Sequence, residues 1–143
     1  MHVERTFTVD QPIDQVFAYL SDFENTNEWD PGTVETRKVS GDGGVGTKYH
    51  NRSKFLGKET DLSYETKVHE APTKFVMEGI NKSATATDTL NFRDVGGKTE
   101  IHYRADFAFK GIAKFVAPIV ARKPLEKLAD ETVDQIKKTL NRT

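Results

Sequence analysis

Apolar and polar residues alternate along most of the chain, and this period of two predicts β-strands. The alternation covers His2–Val9, stops, and resumes between residues 33 and 110. There it predicts six strands at 34–40, 47–55, 59–69, 74–80, 84–94 and 99–110. Short segments rich in turn residues separate them, including GDGGVG at 41–46. Successive strands should therefore pair as antiparallel hairpins.

Helical spacing appears on both sides of the long strand region. After the first strand, apolar residues recur at positions 13, 16, 17 and 20, and Asp22 can cap a second short helix. After Gly111 an apolar helical face runs to residue 140 and is interrupted by Pro118 and Pro124. This predicts either a kinked helix or a short helix joined to a long one. The order of elements favours an α+β domain with the helices on one face of the sheet.

Alternation also predicts which strand side chains face the helices. On the strand at 59–69 it places Leu62, Tyr64, Thr66 and Val68 inward, with His69 at the strand end. Tyrosines and small polar groups share the inward face with phenylalanines, which is unusual for a dry core. Because a buried polar group without a partner costs about 1–3 kcal/mol, a ligand-filled cavity is one explanation. The alternative is that these polar groups hydrogen-bond to one another.

We predict a cavity that binds an apolar or aromatic molecule or a lipid. Its predicted lining is Phe23, Trp29, Tyr49, Asn51, Ser53, Tyr64, Thr66, Phe75, Met77, Asp88, Leu90, Tyr103, Phe107, Phe115 and Ile119. Trp29 lies either at the cavity entrance or between the short helices and the sheet. The apolar segment 111–124 is interpreted as a lid over the cavity, with contact to a membrane surface as the alternative.

Asp88 is the one carboxylate that alternation places inside the sheet. Burial would raise its pKa and make it a candidate general acid or base. The alternatives are that it anchors backbone amides or that a register slip turns it outward. No other catalytic residue is identified, and whether the protein is an enzyme stays open.

Five segments of the chain match a known pattern in their order and spacing. They are DQPIDQVFAYLSDFENTNEWDPG (10–32), GDGGVGTKY (41–49), HEAPTKFVMEG (69–79), GGKTEIHYRADFAF (96–109) and the C-terminal helix. Together they resemble the START-like superfamily, also called SRPBCC, and in particular its small bacterial polyketide cyclase/dehydrase-like branch. The resemblance implies a helix-grip fold, in which a seven-stranded curved antiparallel sheet grips the long last helix and two short helices follow strand one. In that family the space between sheet and helix is a ligand cavity. Because the family combines binding proteins with enzymes, the fold alone does not decide the function.

The composition of the chain limits its possible chemistry, partners and cellular location. The 143 residues fit a single domain over 1–143, and the absence of cysteine excludes thiol chemistry and disulfides. A net charge of −1 gives no field for attracting nucleic acid, and no apolar run is long enough for stable membrane insertion. We expect a cytoplasmic protein without cofactor or metal, because neither the histidines nor the G-x-G-x-x-G match at 41–46 has a suitable context. The oligomeric state is left open.

Three functions are compatible with these observations. The first is binding or carriage of an apolar, aromatic or lipid-like small molecule in the cavity. The second is a polyketide cyclase, aromatase or dehydratase that uses polar groups of the cavity. The third is a protein-interaction module with a closed core, for which the basic outer face of the strand at 47–55 would be the contact surface.

Overall fold

The computed structural model describes residues 1–141, and within them seven strands form one antiparallel sheet. In chain order the elements are β1 (His2–Val9), α1 (Ile13–Ser21), a 3-10 turn (Phe23–Asn25), α2 (Thr26–Trp29), β2 (Thr33–Ser40), β3 (Lys48–Phe55), β4 (Lys58–Glu70), β5 (Lys74–Ile80), β6 (Ala84–Val95), β7 (Lys98–Phe109), α3 (Ala113–Val120) and α4 (Arg122–Leu140). Each predicted strand ends within one residue of its observed position. The α+β prediction is confirmed.

The strand order in the sheet is β1-β7-β6-β5-β4-β3-β2. Strands β2 to β7 therefore form consecutive hairpins, as their short connections predicted, and β1 pairs with β7. The β6–β7 connection is the two-residue loop Gly96-Gly97, with φ angles of 67° and 89°. A tight hairpin turn needs positive φ at both positions, which glycine adopts without steric cost.

The last helices follow the second of the two predicted arrangements, a short helix joined to a long one. α3 ends at Val120 and α4 begins at Arg122, with Ala121 between them. α4 packs across β1 and beside α2. It buries Leu125, Ile136 and Leu140, so it is the helix that the curved sheet grips.

Strand β4 departs from simple alternation near its end. The pairing of β4 with β5 shifts between Thr66 and Val68, so that His69 lies opposite Phe75. The ring of His69 meets Phe17 edge-on, with 5.1 Å between ring centroids. The prediction that Val68 faces inward is therefore wrong, because the bulge adds a residue and exchanges the two faces beyond it.

Candidate functional site

A cavity of about 210 Å³ lies between the sheet and α4. Its apolar wall comes from several strands and from one face of the helix. The wall residues include Val3, Phe55, Leu62, Ala84, Ala86, Ala105, Phe107, Phe109, Leu125, Leu128, Ala129 and Val133. The lining positions on α4 follow helical spacing, which directs them all to the same side.

Small side chains explain why sheet and helix do not close on each other here. Ala86 of β6 is paired with Phe107 of β7, and Asp88 is paired with Ala105. Ala129 faces them from α4 as a further lining residue. Three alanines around one volume leave space that larger aliphatic side chains would fill, because protein interiors otherwise pack without voids.

A polar cluster occupies one part of this apolar cavity. Asp88 is 7% exposed. The Tyr103 hydroxyl donates a hydrogen bond of 3.2 Å to Asp88 Oδ1. Tyr64 and Asp30 also line the cavity. Asp30 accepts hydrogen bonds from the Gly32 amide at 2.9 Å and from the Thr33 hydroxyl at 3.0 Å.

The surroundings of Asp88 favour its neutral form. Burial raises its pKa to about 7, and the negative charge of Asp30 acts in the same direction against the hydrogen bond from Tyr103. Burial also raises the pKa of Asp30. The phenol pKa values of Tyr64 and Tyr103 are well above 10, first because of burial and then because of Asp88. Near neutral pH the cavity therefore offers the Tyr64 phenol, the Tyr103 phenol that donates to Asp88, and a carboxyl group that can hold or release a proton.

Two basic residues line the cavity, one of them paired with acidic side chains and the other exposed to solvent. Arg5 lines the cavity, but its guanidinium contacts Glu126 at 2.9 Å and Asp130 at 2.8 Å. Lys54 is the other basic lining residue and is exposed. Within residues 1–141 no three histidine or acidic side chains are grouped to hold a metal ion.

The structure brings five of the predicted lining residues to the cavity: Ser53, Tyr64, Asp88, Tyr103 and Phe107. Eight others belong to the packed core beside it, namely Phe23, Trp29, Tyr49, Asn51, Thr66, Phe75, Met77 and Leu90. Trp29 is 1% exposed and contacts the rings of Phe23 and Tyr103. It therefore packs the short helices onto the sheet and does not lie at an entrance.

Several polar side chains of the core have hydrogen-bond partners within it. The Asn51 side-chain amide donates to the Thr36 hydroxyl at 2.7 Å, and the Thr26 hydroxyl hydrogen-bonds to the same oxygen at 2.6 Å. The Thr66 hydroxyl contacts Met77 Sδ at 3.3 Å. For Asn51 the alternative of hydrogen bonding among the polar groups is the one observed, and neither Asn51 nor Thr66 lines the cavity.

The predicted lid does not cover the cavity. Phe115 is 74% exposed, Ile119 is 81% exposed, and neither belongs to the cavity wall. The reason is the orientation of α3, which turns Ala113 and Ala117 toward the protein and its larger apolar side chains toward solvent.

Sequence reasoning missed Arg5 and Asp30. Arg5 shares its strand face with Val3 and Phe7, so alternation already directed it inward. Asp30 lies in the turn after Trp29, where no periodicity indicates which way a side chain points. The α4 residues of the wall were recognised as an apolar helix face but were not assigned to the ligand.

A second, wider hollow of about 760 Å³ lies between α1, the 41–46 loop and the β4–β5 turn. It is an open surface groove whose walls include Asp14, Asp22, Asp42 and the backbone of Gly43. Ligand sites are usually enclosed and mainly apolar, so the cavity beside α4 is the candidate site.

A sheet that grips a terminal helix around an apolar cavity defines a helix-grip ligand-binding fold. Residues 1–141 match the model of the polyketide cyclase/dehydrase and lipid transport family. The chain belongs to this family, and the START-like assignment is confirmed. No curated protein matches it in sequence. Within residues 1–141 no helix is long and apolar enough to span a bilayer.

Solved structures of low sequence identity share the fold. A protein from Thermus thermophilus, TTHA0849, is 12% identical with a TM-score of 0.83, covering 98% of this chain and 97% of that one. The Zhui aromatase/cyclase from Streptomyces sp. R1128 is 14% identical with a TM-score of 0.85, covering 99% and 94%. A STAR-related lipid transfer protein fragment from Xanthomonas axonopodis is 11% identical with a TM-score of 0.78, covering 99% and 86%.

Proposed function

We propose that the protein binds and carries a small, mainly apolar molecule with one uncharged polar group. The observation that carries this proposal is the cavity beside α4, whose apolar wall encloses the hydrogen-bonded pair Asp88 and Tyr103. Apolar walls with a few convergent polar groups are typical of small-molecule sites. The wall provides affinity, and the polar cluster orients the ligand.

The size of the cavity limits the ligand. About 210 Å³ exceeds the roughly 150 Å³ of an engineered protein cavity that holds benzene. It is smaller than the roughly 300–1,000 Å³ of most drug-sized sites. A monocyclic aromatic compound or a short acyl chain fits without movement of α4, and a larger ligand requires α4 to move away from the sheet.

The charge of the cavity limits the ligand's polar group. Asp88 and Asp30 are both acidic, and Arg5 is held by Glu126 and Asp130. A carboxylate entering this site would meet these acidic groups, and the other basic lining residue, Lys54, is exposed to solvent. Burying a charge without a partner is costly. A hydroxyl or carbonyl group can instead hydrogen-bond to Asp88 or to the tyrosine phenols.

Calorimetric titration with 4-ethylphenol and 4-ethylbenzoate tests both parts of the proposal. The two probes share an apolar body and differ in the polar group. We expect the phenol to bind and the benzoate to bind at least about tenfold more weakly at neutral pH. Equal binding of both probes would refute the assignment of the polar group.

Substitutions test the location of the site. Ala129→Phe fills the cavity from α4, and Ala108→Phe adds the same side chain at an exposed position of β7. Binding of 4-ethylphenol should be lost in A129F and unchanged in A108F. Native mass spectrometry of the purified protein, followed by extraction, identifies a co-purified ligand. Wild-type protein that carries no small molecule and binds no probe would overturn the proposal.

A second function, acid–base catalysis on a polyketide-like substrate, is favoured by the position of Asp88, which lines the cavity and accepts a hydrogen bond from Tyr103. Burial raises the pKa of Asp88 to about 7, so its carboxyl group can hold or release a proton near neutral pH. An enzyme would lose turnover in D88N and keep its affinity for the substrate, whereas a carrier has no turnover to lose.

The third function, a protein-interaction module, is opposed by the cavity and by the ion pairs of Arg52 with Asp61 and Glu59 on the outer face of β3.

A further inference from the structure

The short helix α3 presents its large apolar side chains to solvent. Its two half-buried residues are Ala113 and Ala117, four positions apart, and they face the protein. The exposed apolar residues of the segment are Ile112 (82%), Phe115 (74%), Val116 (47%), Ile119 (81%) and Val120 (55%). Helices of globular domains normally bury such residues, so this orientation leaves an apolar surface without a partner in residues 1–141.

Positive charge surrounds this apolar surface. Lys110 and Lys114 lie at the start of the segment, and Arg122 and Lys123 follow its end. No acidic residue occurs between Asp106 and Glu126, although the whole chain has a net charge of −1. The local excess of four positive charges is therefore confined to the apolar helix and its flanks.

We propose that residues 110–123 form a docking surface for an anionic lipid membrane. An apolar helix face with basic flanks suits the bilayer interface, where apolar side chains enter the acyl boundary and lysines contact lipid phosphates. A second copy of the chain fits less well, because face-to-face contact of two such segments brings eight like charges together. The proposal does not depend on the ligand of the cavity.

Helix α3 lies next to the cavity, so a membrane docked on it would be close to the cavity as well. The cavity wall includes Phe109, just before the segment, and Leu125, just after it. α3 itself contacts β7 and α4, the two elements that contribute these residues. A membrane bound at α3 would therefore face this end of the cavity, where an apolar molecule could pass between lipid and protein.

Co-sedimentation with vesicles tests the proposal. We expect the wild-type protein to bind vesicles of phosphatidylcholine mixed with phosphatidylglycerol, and to bind pure phosphatidylcholine weakly. The double variant F115S/I119S should bind the mixed vesicles at least about tenfold more weakly, since each buried large apolar side chain contributes about tenfold. The variant K114Q/K123Q should lose mainly the preference for anionic lipid.

The matched control is V39S/V45S, which removes two exposed valines far from α3 in sequence; they are 60% and 68% exposed. It should bind mixed vesicles like the wild type. Light scattering coupled to gel filtration, without lipid, measures self-association of all variants. The proposal is overturned if the wild type does not bind mixed vesicles, or if V39S/V45S loses binding as much as F115S/I119S. It is also overturned if F115S/I119S only converts a lipid-free dimer to a monomer.

Discussion

The ionisation of Asp88 should make the protein less stable as the pH rises from about 4 to neutrality. The pKa of this side chain is about 7 in the folded protein, against an ordinary value of 3.8. Between these two values the folded state keeps a proton that the unfolded state has released. Stability falls with rising pH wherever the folded state binds more protons. The loss is therefore confined to about pH 4 to 7.

The size of the effect follows from the difference between the two pKa values. One pKa unit corresponds to about 1.4 kcal/mol, so the full loss is about 4 kcal/mol, of which about 3 kcal/mol falls between pH 5 and 8. Asp88 is only 7% exposed, so water screens little of this cost. Asp30, whose pKa is also raised, adds to the loss in the same direction.

The substitution Asp88→Asn isolates this contribution. The amide cannot ionise, and its carbonyl oxygen can still accept the hydrogen bond from Tyr103. Urea unfolding of the wild type and D88N at about pH 5, 6, 7 and 8 should show D88N gaining about 3 kcal/mol relative to the wild type across the series.

The control is Asp94→Asn, an exposed position near the end of the same strand. Because Asp94 is exposed, D94N should not reproduce the gain of about 3 kcal/mol expected for D88N. If the wild type and D88N keep a constant difference from pH 5 to 8, the carboxyl group is not buried as described and the reasoning fails.

Two further predictions concern the cavity wall. Gly79→Ala should lower the free energy of unfolding by about 1–3 kcal/mol, because the new Cβ would lie 2.6 Å from the Tyr64 ring. Gly44→Ala should be nearly neutral, because its Cβ would meet only the Asp42 side chain at 3.3 Å. Equal urea midpoints for the two variants would contradict this prediction. Arg5→Gln removes the contacts to Glu126 and Asp130. It should therefore lower the free energy of unfolding by about 1 kcal/mol and speed hydrogen exchange of the backbone amides in the first turns of α4. Unchanged exchange in these turns would show that the ion pairs do not stabilise the helix.

Periodicity predicted the fold well because most strands obey it throughout. The strands end at the glycine-rich loops, as predicted. The break between α3 and α4 lies between Pro118 and Pro124, the two prolines from which it was predicted. The prediction failed at the bulge before Val68. An extra residue in one strand is a property of strand pairing, and no pattern within β4 itself reveals it.

The candidate site was less predictable than the fold, because a side chain that is buried in the core does not necessarily border a cavity. Alternation placed Tyr49, Asn51 and Asp88 on one face, but of these three only Asp88 lines the cavity beside α4. What separates them is the size of the facing residues, such as Ala105 opposite Asp88. That information lies in strand register and helix placement, which a single sequence does not contain. The prediction for α3 was wrong for the same reason. Its apolar residues were recognised correctly, but they face solvent and not the cavity.

The residues that surround the cavity lower the stability of the free protein. Alanines at 86, 105 and 129 forgo the packing energy that larger side chains would supply, and Asp88 brings an ionisable group into an apolar wall. A molecule that fills the space restores packing, and a hydroxyl or carbonyl group on it gives Asp88 a further hydrogen-bond partner. Binding and folding are therefore linked, and occupancy should stabilise the fold in proportion to affinity. Departures from stable packing are expected at functional sites, and in this protein the small side chains and the buried carboxyl group lie around the same cavity.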